Sequence, residues 1–112
     1  MGICSELTSC MPGFIGAIFK VMANEAKKHT KIEEMDIMKM IVETIYGTGK
    51  LLIEKQMNFD GLINRVATKG GITEEGTKII EEKLPEIINE LFEKTLEKRK
   101  KTTEKVQKEF SE

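Results

Sequence analysis

The sequence predicts an all-α protein, and three observations carry that prediction. Residues 32–55 place Met35, Met38, Val42, Ile45, Gly49 and Leu52 at alternating steps of three and four, the spacing of one helix face. A second run, Ile79, Ile80, Leu84, Ile87, Ile88, Leu91, Phe92 and Leu96, repeats that period near the C-terminus. The 112 residues include one Tyr, no Trp and two Pro against abundant Lys, Glu, Ile and Met, so the residues that favour strands are scarce. The length suits one domain with a modest core.

In chain order, residues 1–7 read as an untethered lead-in. Pro12 suits the first turn of a helix, where its missing N–H is not needed, and the apolar pattern extends that helix to about residue 28. Phe14, Ile15, Ile18, Val21, Met22 and Ala26 form one broad apolar stripe, while Gly13, Gly16 and Ala17 are small enough to admit another helix closely. The next helix, 32–55, is apolar nearly all round, because Ile37, Ile41, Leu51 and Ile53 widen the face and Asp36, Lys39, Glu43, Lys50 and Glu54 leave only a narrow polar strip. A chain this short has few other helices to cover that surface. The expectation is a homodimer whose core is shared between two copies.

Within this helix Gly47-Thr48-Gly49-Lys50 imitates a phosphate loop but lacks its essentials, with Thr44 where glycine is needed and Leu51 where Ser or Thr is needed. Those glycines read as sites of close helix packing. A short helix from Phe59 to about Ala67 follows, buried through Leu62, Ile63 and Val66. The final helix, or a pair broken at Pro85, runs from Thr73 to about Lys101, and 102–112 is a polar tail. Lys98-Arg99-Lys100-Lys101 reads as a solvated helix end, where cations suit the C-terminal dipole; no aromatic residues interleave it as a nucleic-acid surface would require.

The stretch with the chemistry of a site is Arg65-Val66-Ala67-Thr68-Lys69-Gly70-Gly71-Ile72-Thr73. Adjacent glycines permit a tight turn and close approach to a bound group. Thr73 ahead of Glu74-Glu75 reads as an N-cap, so free backbone N–H groups and the positive end of a helix dipole converge where a carboxylate or phosphate can bind. The same pattern serves equally as a plain connector between helices.

The formal net charge of −1 gives no reason to expect nucleic acid or an anionic membrane as partner. Cys4, Cys10 and the single His29 form no metal-ligand or disulfide pattern, so the cysteines are expected as free thiols and no metal is expected. The most apolar run, 11–23, contains Lys20 and falls short of the ~20 residues that span a bilayer. A soluble, cytoplasmic protein with no membrane partner is the expectation.

Leu62-x-x-x-Val66-Ala67-Thr68-x-Gly70-Gly71-x-Thr73, set between two apolar helices, resembles the C-terminal domain of pyrroline-5-carboxylate reductase, and the resemblance extends from about Leu7 to Arg99. It implies an all-α bundle similar to the C-terminal-like dimerisation domain of 6-phosphogluconate dehydrogenase, forming an intertwined dimer. It further implies Thr73 as the catalytic hydroxyl beside the substrate imine, with Thr68, Gly70, Gly71 and Ile72 binding the carboxylate of pyrroline-5-carboxylate or a proline-like ligand. NAD(P)H belongs, on that resemblance, to an N-terminal Rossmann domain of a full-length parent; this chain has no strand, glycine loop and helix in series and is expected to bind no cofactor itself. Lys69 stands where the reductases usually have Pro, Thr8-Ser9-Cys10-Met11-Pro12-Gly13 departs from their opening pattern, and Gln56 matches a frequent acid. These departures are closer to a reductase-like late-competence branch. A non-catalytic dimerisation module remains the alternative.

Overall fold

A computed structural model describes residues 2–111, leaving out the side chains of residue 104 and of residues 106–111. Of the expected polar tail 102–112, those side chains and Glu112 lie outside the described residues. All the secondary structure described is helical: α1 (Gly2–Leu7), α2 (Met11–Ala26), a 3₁₀ turn (Lys27–His29), α3 (Glu34–Glu54), α4 (Phe59–Val66) and α5 (Ile72–Ser111). The all-α class is thus observed. The chain divides into two units, Gly13–Glu74 and the combination of Met1–Pro12 with Glu75–Glu112.

In the first unit α2 and α3 are joined by a short connection that satisfies its own polar groups. Lys27 Nζ donates to the Ile32 carbonyl at 2.6 Å, and the Ile32 N–H donates to Thr30 Oγ1 at 3.2 Å. The α3 C-terminus is closed by a pair of reversed bonds: Met57 N–H donates to Leu52 O at 3.2 Å and Gln56 N–H to Ile53 O at 3.4 Å. This closure requires a left-handed residue, and Gln56 supplies it at φ 49° without being glycine. Asn58 then caps α4, its side-chain oxygen accepting from the Gly61 N–H at 2.7 Å.

The apolar faces are where expected, but they are not covered. Ile37, at 6% exposed, is the single buried apolar side chain among the described residues. On α2, Phe14, Ile15 and Ala26 are half-buried while Ile18, Val21 and Met22 are exposed; on α3, Met35 is 84% exposed. Val66 of α4 is also exposed, against the expectation of burial. The small residues tell the same story, since a Cβ added at Gly13, Gly16, Gly47 or Gly49 would meet nothing within 4 Å, so the close approach expected of them does not occur within their unit. The accessible surface is 9761 Å².

The second unit corrects the reading of the N-terminus. Gly2–Leu7, expected as an untethered lead-in, is a helix packed on α5: a Cβ at Gly2 would lie 3.1 Å from Leu96 Cδ2. Glu6 has no exposed surface, and its Oε1 accepts from both Nε (3.0 Å) and Nη2 of Arg99. Arg99 Nη2 also reaches Cys10 Sγ at 3.5 Å. The hydrogen bond to Glu6, and then the attraction of its charge, hold the Arg99 guanidinium still more firmly protonated than an ordinary arginine. α5 itself is one helix that runs through Pro85, losing one backbone bond there, rather than a pair broken at it.

The pair makes an asymmetric prediction. Arg99→Ala leaves a fully buried carboxylate without a counter-charge, whereas Glu6→Ala leaves a half-exposed guanidinium that water can solvate. Arg99→Ala is therefore expected to lower the melting temperature more than Glu6→Ala. Equal losses in a thermal scan would show that Glu6 is hydrated in solution.

Candidate functional site

The turn between α4 and α5 is built by three local constraints. α4 ends with Ala67 in an extended conformation, its N–H donating to Ile63 O at 2.7 Å. The chain then folds back, so that the Gly71 N–H donates to Thr68 O at 2.9 Å, closing a four-residue turn. Gly70 occupies the left-handed region at φ 74°, which a side chain would strain.

Gly71 is needed for a different reason. A Cβ there would collide with Thr68 Oγ1 and lie 3.0 Å from the Thr68 carbonyl oxygen. Thr68 is thus packed onto the backbone of the turn it begins, while the other side of the turn stays open. Lys69 and Gly70 are exposed, and Ile72 is 94% exposed, so no side chain of the described residues covers the end of α5.

One expectation changes here. α5 starts at Ile72, which makes Thr73 the second residue of the helix rather than its cap. Thr73 is exposed, and its hydroxyl has no hydrogen-bond partner among the described residues. It sits in the first helical turn, where the backbone N–H groups have no helical acceptors and the dipole is positive. Thr68, Gly70, Gly71, Ile72 and Thr73 therefore lie together on a pre-shaped, open, anion-favouring turn, with nothing contributed from elsewhere in their unit. A small carboxylate placed there would meet backbone N–H groups and one hydroxyl.

What such a turn belongs to is decided by comparison with known proteins. The family described as "Pyrroline-5-carboxylate reductase dimerisation" matches residues 1–102. The chain belongs to that family. Among reviewed relatives, pyrroline-5-carboxylate reductase 3 of Bacillus subtilis (strain 168) is 44% identical over 108 residues, covering 96% of this chain and 40% of the relative. ComE operon protein 4 of the same organism is 29% identical over the same shares. Pyrroline-5-carboxylate reductase of Methanobrevibacter smithii is 33% identical over 81 residues, 72% of this chain and 32% of the relative. The chain spans about 40% of the length of the first of these relatives. No solved structure matches it.

Membership in the pyrroline-5-carboxylate reductase dimerisation family fits the uncovered apolar faces of α2 and α3. Among the described residues there is no strand, hence no strand–turn–helix unit of the kind that cradles a dinucleotide. No group of three or more His, Cys, Asp or Glu among the described residues could hold a metal ion, and no helix among them is long and apolar enough to cross a membrane. Cys4 and Cys10 are free thiols.

The cluster of Glu6, Arg99 and Cys10 escaped the sequence reading. Glu6 and Arg99 are 93 positions apart. Glu6 sat in a presumed lead-in and Arg99 in a presumed solvated cluster, and no local period links the two.

The turn geometry is directly testable. Gly71→Ala forces either Thr68 or the backbone to move, and the displaced turn is expected to cost roughly 1–3 kcal/mol in chemical denaturation, the range for local backbone strain. Gly71→Ala combined with Thr68→Gly, which removes the colliding hydroxyl, should recover part of that loss; no recovery would mean that Thr68 is not what Gly71 accommodates.

Proposed function

We propose that this chain is the dimerisation and substrate-binding domain of a pyrroline-5-carboxylate reductase-like oxidoreductase. In the whole protein it would take part in NAD(P)H-dependent imine reduction in proline biosynthesis, in the cytoplasm. The observation that carries the reading is the turn at 68–73. Its conformation depends on two glycines, it is bare of covering side chains, and it leads into the N-terminus of a long helix, which suits a small carboxylate. The domain's own residues would act as follows. The backbone N–H groups of Gly70 and Ile72 hold the carboxylate, Gly71 keeps the turn closed through its N–H bond to Thr68 O, Thr68 sets the shape of the turn from beneath and completes the cradle, and the Thr73 hydroxyl donates to or polarises the imine nitrogen. Hydride would come from a nicotinamide held outside the described residues.

The homodimer is the second part of the proposal. Burying one Leu or Ile side chain contributes about 1.5–3 kcal/mol, so the exposed Ile18, Val21, Met35, Val42, Ile53, Ile79 and Ile87 together represent stabilisation comparable with the ~5–15 kcal/mol that holds a typical domain together. A second copy offering the same faces is the simplest cover. Sedimentation equilibrium at micromolar concentration is expected to give a dimer. A well-folded monomer there would sink this part.

A structural module without retained chemistry is the second reading. It is favoured by the match to ComE operon protein 4, whose name carries no reductase activity. Ligand binding separates the two. L-proline, or an unreactive analogue with the same ring and carboxylate, is expected to bind the chain at the turn and to lose binding in Gly71→Val. Thr73→Ala should keep most of the affinity while costing roughly 2–4 kcal/mol of transition-state stabilisation in a full-length enzyme carrying it. If Gly71→Val and Thr73→Ala both fold, dimerise, bind and turn over like the parent, the turn is only a connector and the structural module is correct.

A further inference from the structure

The second unit contains a cavity of about 470 Å³ that the reductase reading does not use. It lies along one face of α5, where Lys94, Thr95, Lys98, Arg99, Thr102 and Thr103 recur at helical spacing, and is bounded on its other side by Glu6 and Cys10. Among the described residues of its lining, three cations against one carboxylate leave a net charge of two positive.

The charges on this face are arranged unlike those on the rest of the helix. Lys101 pairs with Glu97 at 3.1 Å, and Glu93 accepts from Asn89 at 3.0 Å, yet Lys94 and Lys98 have no ion pair among the described residues. Glu97 feels Lys94 only through space, and its carboxyl is held below its usual range chiefly by the bond to Lys101. Lys94 and Lys98 are four apart, so the two like charges repel across one helical turn, an arrangement that by itself destabilises the helix. Arg99, beside them, is held by Glu6 through Nε and Nη2. A buried ion pair contributes little net stability because desolvation offsets attraction, and its clearest effect here is to fix one guanidinium at the cavity wall. The cost of ordering that side chain is then met before anything binds.

We infer that this cavity is an anion site for inorganic phosphate or a phosphate monoester, with Lys94 and Lys98 as the charged contacts and Arg99 as a pre-positioned one. A phosphate carries about −1.5 to −2 charges at pH 7, matching the lining, and its oxygens accept from ammonium and guanidinium groups. Thr103 adds a hydroxyl with no partner among the described residues. The Thr95 and Thr102 hydroxyls are committed as donors to the Phe92 and Lys98 carbonyls, so they shape the wall rather than bind the anion. The volume exceeds that of a bare phosphate and leaves room for the organic half of a small monoester.

The experiment titrates the full chain with sodium phosphate, and separately with AMP, at constant ionic strength held with sodium chloride, following backbone amide shifts of residues 94–103 by NMR. Saturable shifts centred on this segment are expected. Lys94→Gln and Lys98→Gln should each raise the dissociation constant by roughly tenfold, the effect of losing one charge-assisted contact. Both side chains are exposed, so neither variant threatens folding, and unchanged melting curves would confirm that. Tighter binding of AMP than of phosphate assigns the site to monoesters, and binding of phosphate alone assigns it to the free ion. Shifts that rise linearly, that chloride reproduces, or that persist undiminished in the Lys94→Gln Lys98→Gln double variant overturn the inference. None of these residues takes part in the proposed reductase site, so the two proposals stand or fall separately.

Discussion

The constraint on which the structure depends is an excess of apolar surface over the means to bury it. α3 carries apolar residues around most of its circumference and α2 along one broad stripe, and together with α4 they leave one apolar side chain among the described residues, Ile37, out of water. Folding offsets a conformational entropy cost of ~1–2 kcal/mol per residue largely through such burial, so a chain that buries this little of its aliphatic surface is incomplete as an energetic unit. The bare glycines of α2 and α3 follow from the same shortage. Their small size matters only if another helix comes against them, and within their unit none does. In this light the self-association proposed for the chain would be a condition of folding more than an addition to a finished fold.

A different device holds the second unit together. α1 is six residues long, too short to persist by its own hydrogen bonds, and it is fixed to α5 by the contact at Gly2 and Leu96 and by the Glu6–Arg99 pair. Such a pair specifies position more than it stabilises. An aliphatic residue at position 6 would accept several packings against α5, whereas a carboxylate with no exposed surface must meet Arg99.

Much of this was legible from residue spacing. The bounds of α3 and α4 were readable because period and turn residues agree there, and the Gly70–Gly71 turn because a side chain would be strained by the left-handed backbone at Gly70 and would meet Thr68 at Gly71. What was not legible had no local signature. Glu6 looks like any acid in a polar terminus until Arg99, 93 residues away, is placed beside it. Thr73 was misplaced by two steps because Thr before two acids is a strong cap signal, and the turn at Gly70 and Gly71 starts the helix earlier. Pro85 looked like a breaker, but the gain from continuing a long helix on either side outweighs the loss of one bond. The pattern shows which faces are apolar, and it says nothing of whether a single chain has enough of them facing each other.

Gln56 shows how such constraints govern which sequences the fold accepts. Its side chain is exposed, which by contact alone would leave the position open to almost any residue. The backbone decides otherwise. With φ at 49°, Gly and Asn fit readily, other unbranched residues bear a penalty of about 1–2 kcal/mol, and Val or Ile would be worse still. The permitted alphabet at a bare surface position is thereby narrower than at many half-buried ones nearby, and drift through it is limited by a torsion angle that no inventory of neighbours records.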